Sequence, residues 1–208
     1  MLTRQLKAVV VGVGLCWMGG PSGLARADDA KAEGTPGAAV LSDHEKPPQV
    51  TVSDVDGVFT TNGTAEIAAP RRTVFAVLLD YGHMTSFIKS LNSSTISAHH
   101  GNQLTVVQEA TGKAGPFSKD VHTILTVTTK PTSKITFVDT EKKDFYQYSG
   151  SWALGRSGKM TTVSYQLIAK LKGMSPEGIT EGAFKENVGK MMAEVRTEAE
   201  KRAAVVTR

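Results

Sequence analysis

Apolar residues alternate with polar ones through Val50, Val52, Val58, Thr60 and Ile67, and the alternation ends at Pro70. A period of two sends successive side chains to opposite faces of a strand, so this stretch predicts one or two strands with one buried face. Beyond Pro70 the period lengthens. Val74, Val77 and Leu78 fall three and four apart with Phe75 and Leu79 beside them, which predicts a short helix to about Asp80 with proline in its first turn. Met84, Phe87, Ile88 and Leu91 continue at helical spacing, and Asn92-Ser93-Ser94 is expected to close a second short helix.

From Thr95 to Leu171 the period is again two. Turn residues interrupt it at His100-Gly101-Asn102, Gly112 to Pro116, Lys130 to Ser133, Lys142-Lys143-Asp144 and Gly155 to Gly158, which predicts five or six antiparallel strands. Their apolar faces read as Leu104 and Val106; Phe117, Val121, Leu125 and Val127; Ile135 and Phe137; Tyr146, Tyr148 and Trp152; and Val163, Tyr165, Leu167 and Leu171. One face of the sheet is buried and the other wet. Ser175-Pro176-Glu177 has the chemistry of a helix start, a hydroxyl cap followed by proline and acids. The helix is expected to reach about Arg202, with Phe184, Val188, Met191, Met192 and Val195 on one side and Lys185, Glu186, Lys190, Glu194, Glu198 and Lys201 on the other. Gly182 and Gly189 each cost about 1 kcal/mol relative to alanine there, which close packing or room for a ligand would explain. One long amphipathic helix must therefore cover one curved sheet: an α+β domain of six to seven strands over residues 50–203, with 204–208 as a tail.

Composition changes the picture at the N-terminus. Arg4 and Lys7 precede an apolar run from Ala8 to Met18, Gly19-Gly20-Pro21 breaks it, and Ala25-Arg26-Ala27 offers small residues where a signal peptidase reads. The run is short of the about 20 residues a membrane span needs. Residues 1–27 read as a signal peptide cleaved before Asp28, which implies a periplasmic or secreted protein with no membrane span after processing. Cys16, the chain's one cysteine, is flanked by Leu15 and Trp17 where lipoprotein acylation wants small residues, and is read as part of the apolar run. No disulfide follows. Residues 28–49, rich in Ala, Gly, Pro and charge, cannot bury enough surface to offset ordering entropy and read as a flexible leader.

The whole chain carries 24 basic and 20 acidic residues. Removing Arg4, Lys7 and Arg26 with the signal leaves 21 basic against 20 acidic, and no Lys/Arg run exceeds two. The charge argument for a nucleic-acid partner disappears with the signal.

Catalytic chemistry is thin. No Gly-x-Ser-x-Gly and no phosphate-binding glycine loop occurs, and the processed chain has no cysteine for a metal. No cofactor is implied. His99-His100 sits at a hairpin turn without a third ligand, which reads as a solvated turn. His122 and Asp120 lie opposite in phase to Val121 and Leu125 and read as wet-face residues. Asp80, Tyr81 and His83 fall between the two short helices, with Asp80 read as a cap and Tyr81 as a rim residue. Glu109 lies opposite in phase to Leu104 and Val106 and reads as a wet-face partner for a lysine; a register shift of one would bury it. Tyr81, His83 and Glu109 are the candidates for acid–base work.

The order strand, two short helices, antiparallel strands and a long C-terminal helix is that of the helix-grip fold. Ala69-Pro70, the run Val74 to Tyr81, and Phe87 look like the opening of the polyketide cyclase/dehydrase and coenzyme-Q-binding branch of the START-like superfamily. Val107-Gln108-Glu109, Gly150-Ser151-Trp152 and Thr162-Val163-Ser164-Tyr165 resemble its strand signatures in the same order. The sequence departs from the branch at Phe75, where tryptophan is usual, and at Gly82-His83-Met84, where charged residues are common. The resemblance implies a deep apolar cavity between sheet and helix. Ligand contacts are then expected from Phe87; from Val121, Leu125 and Phe137; from Tyr148, Trp152, Tyr165 and Leu167 on the sheet; and from Val188, Met191, Met192 and Val195 on the helix. Three functions remain open: an exported carrier of a lipid, isoprenoid or quinone; an enzyme on a polyketide or aromatic substrate; and a module whose groove holds a protein partner.

Overall fold

In the computed structural model, which describes residues 46–114, 117–173 and 181–206, eight antiparallel strands form one sheet. They are β1 (Gln49–Val55), β2 (Val58–Ile67), β3 (Leu91–His100), β4 (Gln103–Ala114), β5 (Phe117–Lys130), β6 (Lys134–Asp139), β7 (Phe145–Leu154) and β8 (Thr161–Leu171). Helix α1 (Arg71–Leu79) and a 3-10 helix (Tyr81–Ser86) join β2 to β3, and α2 spans Glu181–Val206. The sheet order is β1-β2-β8-β7-β6-β5-β4-β3, so β3 to β8 form a meander whose last strand returns to pair with β2. The strand count exceeds the expected six to seven. The α+β helix-grip architecture stands.

Local chemistry explains the first hairpin. Asp56 and Gly57 both hold positive φ, 53° and 74°, the backbone that a two-residue hairpin turn requires, and Gly57 N–H donates to Asp54 Oδ1 at 2.9 Å. Pro70 caps α1 from outside, where its missing N–H costs nothing, and Val74, Val77 and Leu78 turn inward.

The second short helix differs from expectation. Residues Tyr81–Ser86 form a single 3-10 segment, and Asn92-Ser93-Ser94 lie within β3 rather than closing a helix. The helical spacing of Met84, Phe87, Ile88 and Leu91 reports burial, since all four pack on the core, but Leu91 does so as the first residue of a strand.

A β-bulge between Phe145 and Gln147 corrects the reading of β7. The extra residue shifts the phase, so Phe145 and Tyr148 both face inward and Tyr146 is 59% exposed. Gly150 then lies beneath the Phe137 ring, its register partner on β6, where an added Cβ would overlap both that ring and the Gln166 carbonyl. Gly189 has no such constraint: the atom nearest an added Cβ is Val50 Cγ2 at 3.9 Å.

Helix α2 packs on β1, β2 and α1, burying Val188, Met192, Val195 and Ala199. It continues to Val206, past the expected end at Arg202 and into the expected tail. The signal reading of residues 1–27, most of the leader reading and the Ser175-Pro176-Glu177 helix start fall outside the described residues, as does the Phe117 side chain. Gln49, expected in the leader, opens β1. No helix among the described residues is long and apolar enough to cross a membrane.

Candidate functional site

The inner sheet face and α2 do not close completely on each other. Two adjoining chambers of about 210 and about 160 Å³ lie between them, sharing Ser90, Ala110, Val121, Phe145, Tyr148, Tyr165 and Met191 in their walls. The inner chamber is bounded by α1 and the 3-10 segment through Leu78, Tyr81 and Met84, and by the sheet through Leu125, Phe137 and Trp152. No charged residue lines it. The outer chamber reaches the ends of β4 and β5 and the first turns of α2, where Lys113, Ser118, Lys119 and Asn187 form a polar rim. Asn187 Nδ2 donates to the Lys113 carbonyl at 2.9 Å, bridging helix and hairpin across that rim. Lys119 Nζ donates to the Lys172 carbonyl at 2.7 Å.

Five aromatic rings, those of Phe137, Phe145, Tyr148, Trp152 and Tyr165, stand in the sheet-side wall of the inner chamber. Trp152 and Tyr165 lie 4.4 Å apart by ring centroid, Phe145 and Tyr148 4.6 Å, and Phe137 and Tyr148 5.8 Å. Three tyrosines bring hydroxyls into this apolar space. Burial raises the pKa of Tyr81, with a smaller contribution from Tyr148; burial, then the nearby Asp139 charge, pushes Tyr148 up to about 12. Tyr165 is raised well above the ordinary phenol value, chiefly by burial. All three are protonated at neutral pH, so they offer hydrogen bonds and are poorly suited to act as bases. Tyr148 and Tyr165 share a side-chain hydrogen bond, while Tyr81 has no hydroxyl partner among the described residues. Gln108, also on this wall, donates to Ser94 Oγ at 3.0 Å.

Of the residues expected to touch a ligand, Val121, Leu125, Phe137, Tyr148, Trp152, Tyr165, Leu167, Val188, Met191 and Val195 line one or both chambers. Phe87 and Met192 do not. The Phe87 ring lies under the Arg202 guanidinium, 5.7 Å from its centroid, and Met192 packs toward Gly63 of β2, where only a glycine leaves space for its sulfur. Sequence reasoning missed Ala110, Gln108 and Phe145. Ala110 and Gln108 continue the even-numbered row of Leu104 and Val106, and that phase was the available signal; the bulge hid Phe145.

The acid–base candidates are not brought together. Tyr81 lines the inner chamber and is 6% exposed, deeper than a rim position. The His83 side chain is 79% exposed, with Nδ1 2.7 Å from Asp80 Oδ1. Asp80 makes no side-chain cap; its carboxylate instead receives His83 and Arg202 Nη2, the latter at 2.8 Å. Glu109 stands on the outer sheet face with Ser93 and His122, and His122 Nε2 lies 3.0 Å from Glu141 Oε2. His122 thus takes acidic partners on the outer face, and Asp120 accepts from Thr111 there. His99 Nε2–H donates locally to the Gly101 carbonyl at 3.0 Å. No group of three or more His, Cys, Asp or Glu among the described residues is arranged to hold a metal.

Comparison with known proteins agrees with this architecture. The model of the family described as polyketide cyclase / dehydrase and lipid transport matches residues 67–196. Among solved structures, a STAR-related lipid transfer protein from Xanthomonas axonopodis superposes with a TM-score of 0.60 at 17% identity, over 76% of this chain and 96% of that one. The Zhui aromatase/cyclase from Streptomyces sp. R1128 gives 0.57 at 15% identity, over 73% and 96%. A START superfamily protein from Mycobacterium smegmatis gives 0.55 at 14%, over 71% and 98%. At such identities these likenesses establish the fold. No curated protein matches the chain by sequence. The matched span of 67–196 runs from the end of β2 through most of α2, taking in most of the cavity wall, and the chain belongs to the polyketide cyclase/dehydrase and lipid transport family.

Proposed function

We propose that this protein is an exported carrier or sequestering protein for a hydrophobic small molecule, a lipid, isoprenoid or quinone, held between the sheet and α2. The observation that carries the reading is the inner chamber, walled mainly by apolar and aromatic side chains, with Ser90, Gln108 and Thr123 as neutral polar members and no charged residue. Together the two chambers reach the lower end of the range typical of ligand pockets, about 300–1,000 Å³. Apolar ligands gain from entering such a space in proportion to the area removed from water. The family supports the reading, since its description includes lipid transport. Export rests on the N-terminal pattern of charge, apolar run and small residues.

The enzymatic alternative is weakened by placement. His83 and Glu109 lie outside the cavity, and Tyr81 is too firmly protonated to abstract a proton at neutral pH. A module that holds a protein segment is favoured by a filled core, and this core is not filled.

Native mass spectrometry of the protein purified from its own compartment, followed by denaturing extraction, tests the proposal. A stoichiometric apolar adduct, and a melting temperature raised by that molecule, is the expected result. A clean apo mass with no thermal response to any apolar compound would overturn it.

A further inference from the structure

Tyr81 is the one acid–base candidate that the fold delivers to the cavity, and the geometry gives it a different task. The chain between α1 and β3 turns through a 3-10 segment whose first residue is Tyr81, and this points the ring inward among Leu78, Met84 and Ile88. The residue as a whole is 6% exposed, but its hydroxyl oxygen is not one of the buried atoms left without a partner; it faces the space of the inner chamber. A molecule that fills the chamber takes this hydroxyl out of reach of solvent, and unless that molecule accepts its hydrogen bond the donor is left unmade at a cost. On the opposite wall, Tyr148 and Tyr165 bond to each other. Two phenols hold two protons and one bond between them uses one, so the pair also keeps a donor for the chamber. No Lys, Arg or His lines this chamber to neutralise an anion.

We infer that the ligand presents a neutral carbonyl oxygen at its buried end and that the Tyr81 hydroxyl donates a hydrogen bond to it. The inference rests on the carrier reading and narrows it. A plain hydrocarbon leaves the phenol unpaired. A carboxylate loses its hydration where no cation replaces it. A ketone or ester carbonyl accepts from Tyr81 with its polar atom alone, while the rest of the molecule meets the apolar wall.

Two molecules of nearly the same shape separate these cases: 9-fluorenone, which has the carbonyl, and fluorene, which has a methylene in its place. Titration of the full chain is expected to show 9-fluorenone binding about 3- to 10-fold more tightly than fluorene, the span of one neutral hydrogen bond. Tyr81→Phe should remove that preference and leave fluorene affinity unchanged. The infrared carbonyl band of bound 9-fluorenone should sit lower in wild type than in the variant. Fluorene-9-carboxylate is expected to bind more weakly than the ketone. Equal binding of ketone and hydrocarbon by wild type overturns the inference and leaves the carrier reading standing, and this comparison needs no variant. Tighter binding of the carboxylate also overturns it, moving the polar contact to Lys113 and Lys119 at the rim. Binding of none of the three overturns the inference, and the carrier reading falls with it only if native mass spectrometry also finds no apolar adduct.

Discussion

Arg202 Nη2 lies 2.8 Å from Asp80 Oδ2, tying the last turns of α2 to the junction that presents Tyr81. The same guanidinium bonds Glu198 through Nε at 2.8 Å. Partial burial taken alone raises the Asp80 pKa, but hydrogen bonds with His83 and Arg202 outweigh it and hold the carboxyl below its ordinary value. The folded state therefore binds this proton less tightly than the unfolded chain. The resulting stabilisation is fully present above the unfolded value of 3.8 and is lost as pH falls through the lowered folded value. Asp80→Asn should lower the melting temperature at neutral pH by about 2–4 °C, the equivalent of about 1 kcal/mol in a chain of this size. Thermal scans across pH should show the gap between wild type and variant closing in acid. A gap that does not change with pH would mean that the carboxylate charge contributes nothing.

The cavity tyrosines give the opposite sign at the other end of the pH scale. Burial first, then the Asp139 charge, raises Tyr148 from 10.0 to about 12. A raised folded pKa contributes stability that is complete below the unfolded value and is lost as pH climbs from about 10 through about 12. Tyr148→Phe should flatten part of the alkaline decline in stability followed by circular dichroism. An unchanged alkaline profile would show that this phenol titrates freely in the folded state.

Much of this architecture was legible because burial and periodicity share one cause. Leu104 and Val106, Ile135 and Phe137, and Val163, Tyr165 and Leu167 alternate because one sheet face meets α2, and the structure buries each of them. The pattern failed where the backbone departs from a uniform period. The bulge in β7 made Tyr146 look inward and concealed Phe145. The 3-10 segment turns about 120° per residue rather than 100°, so α-helical spacing could not place Tyr81 in the chamber. Met191 and Met192 were treated alike, yet adjacent helical residues point about 100° apart: Met191 reaches both chambers and Met192 fills the contact with Gly63. The first hairpin was announced by Asp56-Gly57, a dipeptide whose chemistry is local.

Two inward glycines should respond differently to an added methyl group. At Gly150 the new Cβ would stand 2.6 Å from Phe137 Cζ and overlap the backbone oxygen of Gln166, which cannot move without disturbing β8. Gly150→Ala is expected to destabilise by about 1–3 kcal/mol, the usual range for overpacking. At Gly63 the obstacle is the flexible thioether of Met192, which can rotate away, so Gly63→Ala should cost less. Denaturant melts of both variants check the order; an equal or reversed pair would place the strain elsewhere.

Asn187 is positioned to control traffic rather than affinity for the buried end. Its amide bridge to the Lys113 carbonyl joins α2 to the β4 end of the polar rim of the outer chamber. Removing one neutral hydrogen bond there, as in Asn187→Ala, should speed release of a bound apolar probe by about 3- to 10-fold. Stopped-flow displacement of bound 9-fluorenone measures the rate. Unchanged release would mean that the ligand leaves by another path.

Val121 is the best position from which to close the cavity without unfolding the protein. It lines both chambers from β5, and its register partner Ala110 leaves space across the strand pair. A tryptophan there projects into volume that is already empty, so Val121→Trp should cost less than the about 1–3 kcal/mol of overpacking in a filled core. The same ring occupies the space where a ligand's apolar body would lie. The expected result is a protein that melts close to wild type but carries no extractable apolar molecule and shows no thermal response to 9-fluorenone. If Val121→Trp folds and still retains a stoichiometric adduct, the ligand is bound somewhere other than between the sheet and α2, and the chambers are packing defects rather than a binding site.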